Sequence, residues 1–476
     1  MTSINHRSAN DIMTLSRLGS FYQSKLSFLR SFIREFKDWD FSTDLFELDE
    51  NGYGTAVYSV KKNDRIYSLV CFANELDSRD RSDRVIATKW DAAFVLHDGI
   101  PSEEDIIRLK KNVPKQEVGR VSYKELTLSR ANKSVRIFEH TVEALASGNQ
   151  PDKELISDVG YLYRTTAVYG SGKFGLADRY RIKDRSEICG PFRLEMMLVY
   201  LVRQFTFDQV NHIAKSRNPS KAVTLSHDIA RNLGIGNSTG LGMAPFIVNH
   251  PTLLHNWIYS REEALKQIRS IQKVDIEDFK KFKECFEKSK LNIDTWKTDS
   301  EYQTKKIQRL IKDLDSFEKN YLLNIKFQEN LFWNKLYLWV AEHLSEEGTE
   351  YIVSMLMEPY DKIVDPLIQN MSSDEDLFFD IPGERSVVDL INIINKNYSN
   401  ILNLDFNSNE ETTNFWFISK NKEEPRVANR YEENGSTLEQ PLAIARDISA
   451  LLKRLNECQN TETVAEFLMD NNDLRH

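Results

Sequence analysis

Seven of the eighteen glycines of this 476-residue chain fall in two short stretches, each beside residues that can hold an anion. The first runs Arg164-Thr-Thr-Ala-Val-Tyr-Gly-Ser-Gly-Lys-Phe-Gly, with Gly170, Gly172 and Gly175 around Lys173. From Arg164 to Arg193 the chain carries seven basic and three acidic residues, a local +4 in a protein of net charge −9. A loop of this composition brings backbone N–H groups and cationic side chains to one anionic group. The second runs Gly234-Ile-Gly-Asn-Ser-Thr-Gly-Leu-Gly. Its glycines permit close approach of another group, and Asn237, Ser238 and Thr239 add uncharged hydrogen-bonding groups. With Pro245 placed to open a following helix, the stretch suits an anion at a helix N-terminus. The candidate anion-binding residues are Arg164, Lys173, Arg193, Gly236, Asn237, Ser238, Thr239 and Gly240.

Histidine supplies the candidate acid–base groups. His212, His227, His250 and His255 bracket the second stretch, and imidazole titrates near neutral pH. His250 and His255 are the candidates for proton transfer, with Glu195 a carboxylate able to face the same region; Arg203 and Asp208 are alternatives on the same segment. Arg426 and Arg430 stand four apart in a loop bounded by Pro425 and Gly435, and their guanidiniums could cover a carboxylate or phosphate.

Several chemistries are excluded by spacing. A Walker loop needs Gly at 167 and Ser or Thr at 174, where this chain has Ala167 and Phe174. No G-x-S-x-G elbow is present, which argues against serine hydrolysis. His250 and His255 are five apart across Pro251 and have no paired Cys or carboxylate, so no metal site is expected. Gly236-x-x-x-Gly240-x-Gly242 resembles the glycine motif of short-chain dehydrogenases. That motif has meaning only after a buried strand, and Ser226–Leu233 reads as the end of a helix. A dinucleotide-binding fold is therefore not expected, and the sequence specifies no cofactor.

The elements that must position these residues read as mainly α, with a small N-terminal antiparallel sheet (α+β) and a core of long amphipathic helices. Ile12–Lys37 repeats apolar residues at helical steps. Gly54–Val60 and Ile66–Ala73 read as a hairpin across Lys61-Lys62-Asn63-Asp64-Arg65, and Arg84–Thr88 and Ala92–Leu96 as a second strand pair. From Ser102 onward the pattern is helical for most of the chain, beginning at Ser102-Glu-Glu-Asp. Glu187–Ala214 is a strong helix, and Glu262–Val340 holds long helices with apolar faces such as Phe279, Phe282 and Phe286. Ser372–Glu384 reads as an acidic surface loop, Asn414–Ser419 as a short strand and Pro441–Leu455 as a helix. This divides the chain into an α+β module over 1–101, a helical unit over 102–345 and an α-rich part over 346–476.

The four cysteines are far apart and read as reduced thiols, and Asn237-Ser-Thr matches a glycosylation sequon without a secretory leader to give it use. No run of about eighteen apolar residues is present, so no membrane span is expected. The net charge lacks the positive field that drives nucleic-acid binding. These features describe a soluble, cytoplasmic metabolic enzyme. It would bind a small phosphate- or carboxylate-bearing molecule at residues 164–195 and 231–256, with lyase, transferase and hydrolase chemistry equally open. The alternative is a non-catalytic assembly protein using its long charged helices, which would also permit a homo-oligomer.

Overall fold

In a computed structural model the described residues are 4–7, 9–12, 14, 17, 20, 25–26, 28–81, 89–112, 122–170, 182, 184–189, 193–237, 253–294, 296, 301–368, 386–397, 399, 428–430, 449, 451–463 and 466. They form one eight-stranded sheet covered by helices. Strands β1 (Asp40–Leu48), β2 (Gly54–Lys62), β3 (Arg65–Ala73), β4 (Ala92–Asp98), β5 (Glu125–Lys133) and β6 (Tyr161–Gly170) pair antiparallel in sequence order. Then β7 (Gly234–Asn237) joins β6 in parallel, and β8 (Ala428–Arg430) joins β7 in parallel. The β2–β3 hairpin turns on two residues, Asn63 and Asp64, between the paired Lys62 and Arg65. Asn63 has φ of 55°, the left-handed conformation such turns need and Asn tolerates.

Alternation along the strands separates two buried faces. On one, Tyr58, Leu69, Cys71, Phe94 and Leu96 join the main core. On the other, Val57, Val70, Phe72, Ala93, Val95 and Leu128 pack with Leu109 of a helix.

The helices in chain order are α1 (Ala9–Ile12), α2 (Phe28–Phe36), α3 (Glu103–Asn112), α4 (Phe138–Ala146), α5 (Lys153–Val159), α6 (Ser186–Cys189), α7 (Arg193–Arg217), α8 (His227–Ala230) and α9 (Leu253–Arg269). There follow α10 (Ile276–Ile293), α11 (Glu301–Asn320), α12 (Phe332–His343), α13 (Glu346–Met355), α14 (Asp361–Ile368) and α15 (Val387–Asn397). Leu109 belongs to α3, so α3 covers the second face. Its start is a reciprocal cap: Asp105 N–H donates to Ser102 Oγ and Ser102 N–H to Asp105 Oδ2, each at 3.2 Å. The 25-residue α7 crosses the first face and touches every strand from β3 to β8. Helices α9 to α13 form a separate layer whose apolar faces meet one another; Phe282, Phe286, Leu310, Leu314, Phe317 and Trp333 are fully buried there.

The α+β mixture agrees with the sequence, but the sheet is neither small nor confined to the N-terminal module. Its strands come from residues 40 to 430, drawn from all three expected units. β5 and β6 lie in a region expected to be helical for the most part. Ile12–Lys37 is not one helix, since residues 25 and 26 form a turn before α2. The expected Glu187–Ala214 helix is represented by α6, to Cys189, and α7, from Arg193, with residues 190–192 outside the described residues. Of Pro441–Leu455, residues 449 and 451–455 are helical. Arg84–Thr88, Ser372–Glu384 (at 372–384) and Asn414–Ser419 lie outside the described residues. Among the described residues no helix is long and apolar enough to cross a membrane.

Candidate functional site

Three segments remote in sequence, around residues 164, 236 and 430, become adjacent parallel strands. Arg164 pairs in register with Gly236 and Gly236 with Asn429; in the next row Thr165 pairs with Asn237 and Asn237 with Arg430. Because β6, β7 and β8 run in one direction, their carboxyl ends leave the sheet along one edge. Within the described residues β7 and β8 reach the row of Thr165 and β6 reaches Gly170.

The connection from β6 to β7 passes through α7, making a parallel crossover of the kind that joins βαβ units. The amino end of α7 lies at the same edge as the strand ends. There Arg193 Nε donates to the Glu187 carbonyl oxygen at 2.9 Å, and Tyr67 Oη, at the start of β3, donates to Glu187 Oε1 at 2.5 Å. Arg185 pairs with Asp98, the last residue of β4, at 2.7 Å. At the far end of α7, Gln209 Nε2 donates to the Gly52 carbonyl oxygen at 2.7 Å, beside the start of β2. The first described turn of α7 thus lies at the edge toward which β6 to β8 run.

Local chemistry explains how the second glycine stretch is held. Arg203 of α7, 6% exposed, donates from Nε to the Leu233 carbonyl oxygen at 2.6 Å and from Nη2 to that of Ala230 at 2.5 Å. It therefore binds the turn that delivers the chain from α8 to β7, and its guanidinium lies 4.5 Å from the Phe207 ring centroid. Gly236 is required by space. A Cβ there would stand 2.7 Å from Cγ of Tyr161, closer than side chains tolerate. Thr165 Oγ1 reaches the Gly236 carbonyl oxygen at 3.4 Å.

Two buried arginines flank this row. Arg164 is 6% exposed and pairs in register with Asn132 of β5. Arg130, two residues before Asn132 and two after Leu128, shares that face by alternation and is also 6% exposed. Leu128 belongs to the face under α3, so both guanidiniums lie on the side of the sheet opposite α7.

Of the expected anion-binding residues, Arg164, Gly236, Asn237 and Arg430 are brought together as backbone neighbours. Arg193 lies at the same edge, but its guanidinium is already engaged by Glu35 and the Glu187 carbonyl. Glu195 is in the first turn of α7 and His255 in the first turn of α9, with their side chains outside the described residues. Lys173, Ser238, Thr239, Gly240, His250 and Arg426 lie outside the described residues altogether. The other alternative, Asp208, is partly buried, accepting from Tyr58 Oη at 2.9 Å and Gln204 Nε2 at 3.1 Å. Burial pushes its carboxyl up against those two hydrogen bonds. His212 caps the other end of the sheet, bonded to the Asp49 carbonyl at 2.8 Å.

Sequence reading passed over Arg130, although Leu128 and Arg130 are two apart and so put a cation in the apolar register of a strand. It also passed over Lys133, 7% exposed on β5. Burial brings this amine down to about 8, with Asp91 opposing and Arg81 adding to the shift. Its Nζ stands 4.9 Å and 4.7 Å from the ring centroids of Tyr53 and Phe138. It lies at the end of β5, the opposite edge from the carboxyl ends of β6 to β8. Among the described residues no group of three His, Cys, Asp or Glu side chains is placed to hold a metal ion. The chain matches no protein-family model, no curated protein and no solved structure with which it was compared.

Proposed function

We propose that the chain is a cytoplasmic enzyme that binds a small phosphate- or carboxylate-bearing molecule where β6, β7 and β8 end, with His250 or His255 exchanging a proton with it. The observation that carries this reading is the convergence of the Arg164, Gly236–Asn237 and Arg430 segments as neighbouring parallel strands. Parallel strands joined by a helical crossover characteristically bind ligands beyond their carboxyl ends. Here that edge also receives the amino end of a 25-residue helix, whose dipole favours negative charge.

In this reading the glycines on both sides of the crossover let backbone N–H groups approach the anion. Lys173, Arg164 and Arg430 supply charge, and Asn237, Ser238 and Thr239 orient the ligand. Holding an anion beside an imidazole serves a lyase, a transferase or a hydrolase equally, so the reaction class is left open. The assembly alternative is weakened because the apolar faces of α10 to α13 are used within their own layer. The net charge of −9 speaks against nucleic acid as the ligand.

A thermal-shift screen against phosphorylated metabolites, dicarboxylates and nucleotides tests the proposal. A ligand at 100 times its Kd stabilises by about 2.7 kcal/mol. The expected result is a ligand that raises the wild-type Tm and loses most of that effect in Lys173→Ala and Asn237→Ala. If none shifts the wild type, or a ligand shifts both variants as much as the wild type, the strand-edge site is wrong.

A further inference from the structure

Lys133, at the end of β5, carries an amine that the fold buries without a hydrogen-bond or ion-pair partner among the described residues. It stands at the sheet edge opposite the ends of β6 to β8, apart from the site proposed above. We propose that Lys133 is a nucleophilic amine that forms an imine with a small carbonyl compound carrying a carboxylate, a 2-oxo acid.

Four charged groups act on this amine: Asp91, Arg81, Glu139 and Arg217. Each acid among them is already taken by an arginine. Arg81 Nε donates to Asp91 Oδ1 at 2.9 Å, and Arg217 Nη1 donates to Glu139 Oε1. Asp91 Oδ2 accepts the backbone N–H of Lys133 itself, at 2.9 Å. The ammonium is left with two aromatic rings, those of Tyr53 and Phe138, whose centroids lie 4.9 Å and 4.7 Å from Nζ. Nζ is nevertheless not among the unpartnered atoms sealed from solvent. The charged cluster around it also opens outward. It runs from the fully buried Asp91 through Arg81, 22% exposed, to Arg217 and Glu139, 41% and 55% exposed.

An amine attacks a carbonyl only in its neutral form. With burial bringing Lys133 down to about 8, about one tenth of it is neutral at pH 7, about 300-fold more than for a lysine at 10.5. The Nζ lone pair adds to the carbonyl carbon, the C=O π pair moves to oxygen, and a proton passes from nitrogen to that oxygen. Loss of water from the carbinolamine leaves C=N. One amine and one carbonyl thus give one imine and one water, with nothing oxidised or reduced. Once protonated, the imine is again a cation beside the two rings. The carboxylate follows from the charge count. Three bases face two acids, and the excess positive charge sits on Lys133 itself. In a 2-oxo acid the carboxylate is one bond from the imine carbon, so the ligand neutralises that excess and no existing ion pair has to open.

The test is reductive trapping on the full chain at pH 7 with limiting glyoxylate, and in parallel with acetaldehyde, which has no carboxylate. Sodium cyanoborohydride reduces an imine to a stable secondary amine, and peptide mass spectrometry reads the adduct at each lysine. Lys280 and Lys305, with side chains 57% and 71% exposed, are internal references. Lys133 is expected to be modified by glyoxylate at least about tenfold faster than either reference. Its preference for glyoxylate over acetaldehyde should exceed theirs by at least about threefold. In urea, where the fold is lost, both advantages should disappear. Modification of Lys133 no faster than that of the references overturns the proposal, as does an advantage that persists in urea. An equal preference for the two aldehydes at all three lysines refutes the carboxylate-bearing ligand.

Discussion

Replacing Glu350 by Gln should cost the protein more than any surface charge substitution, and the structure sets the size of the loss. Glu350 is fully buried on α13. It accepts from Arg7 Nη1 at 2.5 Å and Nη2 at 3.2 Å, from Arg17 Nη1 at 2.6 Å and from Arg261 Nη2 at 3.0 Å. Burial alone would push this carboxyl up. The Arg7 and Arg261 charges, the Arg7 hydrogen bonds and the Arg17 charge outweigh it and hold the group at about 2, against the ordinary 4.5. That difference corresponds to about 3 kcal/mol favouring the folded, ionised state. Breaking a buried ion pair on one side costs about 3–5 kcal/mol, because the remaining cations stay buried. The two arguments agree. Urea denaturation followed by tryptophan fluorescence at pH 7 should therefore show Glu350→Gln less stable by about 3–5 kcal/mol. A carboxylate depressed in the folded state stabilises above its unfolded pKa, so this contribution fades as pH falls from 4.5 toward 2. The difference between wild type and variant should shrink over the same range. Asp77 provides the contrast, since it too is held at about 2, mainly by hydrogen bonds from Arg79, yet stands in solvent. Solvent and salt screen that pair, so Asp77→Asn should change little. A loss from Glu350→Gln below about 1 kcal/mol, or one no larger than that of Asp77→Asn, would refute the reasoning.

Three further perturbations follow from single sites. Lys133→Met removes an ammonium whose burial lowers it from 10.5 to about 8. Keeping that charge buried costs about 3 kcal/mol below pH 8, and the cost disappears as pH rises through 8 to 10.5. The variant should be more stable than wild type by about 1–3 kcal/mol at pH 7 and gain less at pH 10.5, by urea melts at both; a destabilised variant at pH 7 contradicts this. Gly236→Ala drives a methyl into the Tyr161 ring and should cost about 1–3 kcal/mol, recovered in part by Tyr161→Ala in the same chain. No recovery in the double variant would mean that the clash is not the cause. Asp152→Ala removes the cap of α5, where Oδ1 accepts from Glu154 N at 2.7 Å and Leu155 N at 3.2 Å. Its expected cost is about 1 kcal/mol by calorimetry, and a Tm equal to wild type would count against it.

What the sequence discloses follows the range of the forces involved. The β2–β3 hairpin, α3 with its Ser102 cap and the apolar faces of α10 and α11 rest on neighbours within a few residues, and all three were legible. β5 was hidden because Thr127, Ser129, Arg130 and Asn132 are polar residues buried by their neighbours in space. β6 contains Tyr161, Tyr163, Thr165, Val168 and Tyr169, good strand formers, and its signal was masked by the glycines that follow. β7 and β8 are strands through pairing with partners remote in sequence, β7 with β6 and β8 with β7, which no local period discloses. The same limit governs charge. Arg7 meets Glu262 and Glu350 at sequence separations of 255 and 343, and no spacing rule connects them. The glycine clusters, by contrast, were visible as clusters, and what the sequence lacked was their relation to each other. Parallel pairing supplies it: a crossover through α7 returns the chain so that the segment after β6 and the segment after β7 both start from one edge of the sheet. Two glycine-rich stretches about sixty residues apart then become the two sides of one strand–helix–strand unit.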